Sequence, residues 1–77
     1  MGMKHAYNNK FDAASEAKRV TAHYDDASDI MGNITSIIIL HNLNSGTITL
    51  LIGYIMYYLD DDIGFDLLQL LEKNSTQ

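Results

Sequence analysis

IMGNITSIIILHNLNSGTITLLIGYIMYYL, residues 30–59, contains no Asp, Glu, Lys or Arg in a chain of 77 residues. Acid borders it on both sides, with Asp25, Asp26 and Asp29 before it and Asp60, Asp61 and Asp62 after it. So long an uncharged stretch, rich in Ile, Leu and Tyr, belongs in a core, in a partner or in a membrane rather than in water. Starting upstream and running into it, a register passes through Ala13, Ala17, Val20, Tyr24, Ala27, Met31, Ile34, Ile38 and His41 in alternating steps of four and three. That spacing places all of these residues on one face of a helix, and Ile30 and Ile37 widen the stripe. With Asp12 as N-cap and Glu16 in the first turn, the spacing predicts one long helix over 12–41.

Asn42-Leu43-Asn44-Ser45-Gly46 is a connector of residues that end helices and tolerate left-handed backbone. Thr47 is placed to cap the next helix. From Ile48 to Leu59 the chain is apolar on nearly every side, and such a helix must be enclosed. After Asp60-Asp61-Asp62 a second amphipathic stretch holds Ile63, Phe65, Leu67, Leu68, Leu70 and Leu71, with Gly64 as a point of bending. A rival reading makes strands of the β-branched segments 34–39 and 47–49 and a hairpin of 34–49. The helical reading is preferred because its register extends well upstream of the ambiguous segment.

The fold class expected is therefore all-α: an antiparallel helical hairpin, with a short third helix allowed after Asp62, dimerising into a four-helix bundle. Residues 1–11 read as a flexible N-terminal arm, 12–73 as a single helical domain and 74–77 as a frayed tail. Two helices cannot enclose an all-round apolar one. A second copy is thus expected to cover Ile48, Leu51, Ile52, Tyr54, Ile55, Met56, Tyr58 and Leu59. Folding back about residue 44 sets Asp29 level with Leu59 and Asp60, and Asp26 with Asp62. The six aspartates then form one acidic collar.

Composition narrows the function. Apolar content of 47% is ordinary for a globular chain, and with no Cys neither a disulfide nor a thiolate metal site nor a thiol nucleophile is available. All five basic residues lie near the ends, at Lys4, Lys10, Lys18, Arg19 and Lys73, and the formal net charge is −5. A phosphate-binding surface needs Lys or Arg, so direct nucleic-acid binding is not expected, and a basic protein partner for the collar is. No basic start followed by an apolar stretch and a small-residue cleavage site is present, and a cytoplasmic protein is expected. Each apolar arm falls short of the ~20 residues of a membrane-spanning helix, and flanking positive residues are missing.

No catalytic motif is found, and no enzyme, cofactor or metal is expected. His5 lies in the arm, His23 beside the stripe near Asp26, and His41 at a helix end where an imidazolium favours the dipole. None has the spacing of a zinc site or a nucleophile–base pair. Asp25/Asp29 and Asp62/Asp66 have i, i+4 spacing, as in bundle metal sites, yet by register Asp25 and Asp29 face outward, and a solvated acidic collar accounts for them. Tyr54, Tyr57 and Tyr58 suit core or dimer packing with their hydroxyls at the rim.

The pattern Ile30-Met31-Gly32, Ile34, Ile37/Ile38, a short polar turn, Leu43, Ile48, Leu51-Ile52, Ile55, Leu59, an acidic break and Leu67-Leu68 to Leu70-Leu71 resembles the AriR-type biofilm and acid-resistance regulators, the two-component connector proteins. The resemblance covers roughly forty residues and rests on hydrophobic spacing. It implies a two-helix protomer, a homodimer and regulation through contacts with other proteins. The acidic break after Leu59 is shorter than the family's, and the core is richer in Tyr. The leading expectation is a small non-enzymatic regulator or adaptor, of bacterial or phage origin, that binds another protein as a homo-oligomer. The alternative is a small acidic inhibitor, such as a phage-type antagonist, that mimics a nucleic acid's charge against a nucleic-acid-binding enzyme.

Overall fold

The computed structural model describes residues 10–75, which form four helices and no strand. They are α1 (Ala13–Val20), α2 (Ala27–His41), α3 (Ser45–Tyr58) and α4 (Asp61–Ser75). The all-helical class is as the apolar register predicts, and residues 34–49 are helix–turn–helix rather than a β-hairpin.

The expectation of one helix over 12–41 is corrected, because residues 21–26 are not helical. Thr21 ends α1 at φ −91° and ψ 0°, and its hydroxyl donates to the Ala17 carbonyl at 2.8 Å. Asp26 then opens α2 as N-cap, its carboxylate accepting the Asp29 N–H at 3.1 Å. Asp29 reaches back in turn and accepts the Asp25 N–H at 2.8 Å. The two carboxylates thus satisfy backbone donors on both sides of the start, as in a capping box.

Every other helix begins in the same way. Asp12 accepts the Ser15 N–H at 3.2 Å, Asn44 the Thr47 N–H at 2.8 Å, and Asp60 the Ile63 N–H at 2.9 Å. Asn44, not Thr47, is therefore the cap of α3. Asn42 ends α2 in left-handed backbone, φ 53° and ψ 52°, with the Leu43 N–H donating to the Ile38 carbonyl and the Asn42 N–H to the Ile39 carbonyl. This six-to-one, five-to-two closure is a Schellman motif with Asn in the position glycine usually takes.

Packing departs from a simple hairpin. α1 lies along α3 and α2 along α4, whereas α2 and α3, joined by three residues, scarcely touch. Ala13, Ala17 and Val20 give α1 a narrow buried stripe that lets α3 approach closely. Ile30, Ile34 and Ile37 from α2, Leu51 and Ile55 from α3 and Leu67 from α4 complete one core. The third helix is not short but as long as α2, and Gly64 neither breaks nor ends it. Gly64 is buried where α4 passes α3, and a Cβ there would lie 3.1 Å from the Met56 methyl. Phe11 belongs to the folded body rather than to an arm: it packs on the core with its ring 4.9 Å from that of His41. Asn74 and Ser75 of the expected frayed tail continue α4, while residues 1–9 and 76–77 lie outside the described residues.

The radius of gyration is 13.4 Å and the extents are 47 × 29 × 17 Å. A compact chain of this length has a radius near about 11 Å. The described body is a flat slab.

Candidate functional surface

The six aspartates of the expected collar are all exposed, and all but Asp25 act through their side chains at helix starts. Asp26 and Asp60 are N-caps, and Asp29 holds the Asp25 backbone. Asp61 and Asp62 stand in the first turn of α4, where the helix dipole favours a carboxylate. Their positions in the chain follow from helix starts.

The antiparallel course of α2 and α4 sets further acids beside Asp26. Asp26, Ala27 and Ser28 share a shallow depression with Asp66, Gln69, Leu70, Glu72 and Lys73, so the start of α2 meets the C-terminal half of α4. Asp60–Asp62 begin that same helix, and Asp66 of the depression stands one turn, ~6 Å of axis, beyond Asp62. Asp66 thus links the acidic start of α4 to Asp26 at the start of α2. Level-matching missed Glu72 as a neighbour of Asp26 because it assumed that α2 packs on α3.

The Ser15 backbone N–H and hydroxyl hold the Asp12 carboxyl below its ordinary value. No group of three or more His, Asp or Glu is placed to hold a metal among the described residues. His23 and His41 are exposed and lie on separate elements, while His5 falls outside the described residues. No helix among the described residues is long and apolar enough to cross a membrane.

The residues expected to meet a second copy divide as well. Leu51 and Ile55 are 0% exposed, so they belong to the protomer's own core and are not available to another chain. Ile48, Ile52, Met56 and Leu59 are half-buried, and Tyr54 and Tyr58 remain exposed. Facing outward instead are Leu50, 53% exposed, and Tyr57, 81% exposed, its ring edge-on to Tyr58 at 5.3 Å. Gly46, Thr49, Leu50, Gly53, Tyr54, Tyr57 and Tyr58 line an open apolar groove along α3. The sequence places the three tyrosines in core or dimer packing but not Leu50 beside them, because a helix apolar on all sides does not say which side its own fold takes. Compared with known proteins, the chain matches no family model, no curated protein and no solved structure.

Proposed function

We propose that this protein is a small non-enzymatic adaptor or regulator that acts as a homo-oligomer by binding another protein. The observation that carries the reading is the surface. Ile39, Leu40, Leu50, Tyr54, Tyr57, Tyr58, Phe65 and Leu68 are all exposed on a very small body, and apolar side chains gathered as they are along α3 mark an interaction surface. Large aromatic and aliphatic groups of this kind are what protein interfaces use as anchors. The AriR-type resemblance points the same way. The exposed acids at the helix starts suit a basic partner, whose approach they steer.

The test is affinity capture from the source cells at low and high salt. The comparison variant carries Asn at residues 25, 26, 29, 60, 61 and 62. Asn caps a helix about as well as Asp, so this variant loses charge without losing its helix starts. The expected result is a protein retained by the wild type and lost by the Asn variant or by salt. Retention of no protein above a bead control would sink the reading. Steep salt loss together with displacement by DNA or RNA would replace it with charge mimicry.

A further inference from the structure

We propose that the outer face of α3 is the docking surface for a second copy of this chain, with the two α3 helices crossing at Gly53. This deepens the homo-oligomer part of the proposed function and rests on it. Gly46, Leu50, Gly53 and Tyr57 follow one another in steps of four, three and four, so they form a single line along the helix, opposite the buried Leu51 and Ile55.

Three observations favour a second copy over other occupants. The first is charge. Each chain has a net charge of −5, so a like copy approaches best where acid is missing. The α3 face has no Asp, Glu, Lys or Arg, whereas exposed Phe65 and Leu68 on α4 are interleaved with Asp61, Asp62, Asp66 and Glu72. A basic partner gains nothing from an uncharged face, while an identical acidic chain gains relief from repulsion.

The second is Gly53 itself. It lies in the middle of a helix, where glycine weakens the element, yet a Cβ there would meet nothing within 4 Å. The protomer supplies no steric reason for glycine, and a helix backbone arriving from outside does. The third is area. Taking ~200 Å² for a fully exposed leucine or tyrosine, the four large side chains of the groove present ~430 Å², and the small residues between them add to this. In a two-fold contact both copies contribute, giving about 1,000 Å², the lower bound for a specific interface.

Sedimentation equilibrium of the purified full chain, over roughly 1–100 µM, tests the proposal. The wild type is expected to be a reversible dimer. Gly53→Leu and Tyr57→Glu should each raise the dimer Kd by about 100-fold or more with helical circular dichroism unchanged. Gly53→Ala, which the protomer accommodates, guards against misfolding of the larger variants and should weaken the dimer about 3–10-fold. Gly32→Ala in α2, equally open but flanked by Ser28, Asp29 and Ser36, should leave Kd unchanged, as should Phe65→Glu.

A wild type that stays monomeric throughout overturns the proposal. If that monomer still captures a partner, only the adaptor half of the proposed function stands. A dimer indifferent to Gly53 and Tyr57 overturns the placement on α3 while leaving self-association intact. A dimer that only removal of residues 1–9 disrupts also overturns it, and assigns the contact to that segment.

Discussion

Asn42 is the one residue other than glycine with positive φ among those described, and it stands where α2 must stop. A side chain with a Cβ pays to adopt that backbone, and Asn does so at less cost than most because its short amide bonds locally. Asn42→Ala should therefore lower stability by ~1 kcal/mol, whereas Asn42→Gly should hold or raise it. Urea midpoints of the two variants decide this, and equal destabilisation by both would show that the turn depends on the amide rather than on backbone conformation. Asp12 gives a pH-dependent counterpart. Its carboxyl is held below the ordinary 3.8 by hydrogen bonds from Ser15, so the charged form is favoured in the folded chain. Stability from this cap is fully present above the unfolded pKa and is lost as pH falls through the lower folded one. The stability gap between wild type and Asp12→Asn should be flat near neutral pH. Below the ordinary carboxylate value it should move against the wild type, and a gap that stays constant across that range would refute the linkage.

α4 shows what a single anchor means for an element. Leu67 is its one fully buried side chain, with Ile63, Leu70 and Leu71 only half-buried and Phe65 and Leu68 exposed. Removing a buried leucine's side chain beyond Cβ costs about 2–5 kcal/mol, a large share of a small domain's whole stability. Leu67→Ala should release α4 before the rest, seen as lost amide protection over 61–75 while α1 and α3 keep theirs. Simultaneous loss of protection everywhere would mean that the four helices form one cooperative unit. The break between α1 and α2 shows where sequence reading stops. Val20 and Ala27 are seven apart, two helical turns, so a non-helical connection of that length keeps the stripe in phase. Periodicity cannot see such a gap. The readable sign was chemical: Asp26 and Asp29, three apart, have the spacing of a capping pair, but their charge drew the reading toward a partner. The helices on either side of Asn42–Asn44 were legible because each combines a long apolar register with a polar stop. Their partners were not, since adjacency in the chain suggested α2 on α3 and the narrow alanine stripe of α1 claimed α3 instead.

At the scale of the whole molecule, two kinds of surface coexist on one acidic body, and salt acts on them with opposite sign. Pairing through the uncharged face of α3 brings together two chains that each carry a net charge of −5. Their mutual repulsion is long-ranged and falls as the Debye length shrinks from ~30 Å at 0.01 M to ~8 Å at 0.15 M salt. The apolar contact itself is not weakened over that interval. Self-association should therefore tighten several-fold as salt rises. A basic partner held on Asp26, Asp66 and Glu72 or on Asp60–Asp62 loses attraction over the same interval, so its Kd should rise. Thermal unfolding adds an independent readout, because a chain stabilised by pairing melts higher at higher protein concentration. Sedimentation and melting, run across the same salt series, should show the dimer strengthening while partner capture weakens. A dimer that instead dissociates as salt rises would place charged side chains in its interface, and so move that interface from α3 to the helix starts where the aspartates stand.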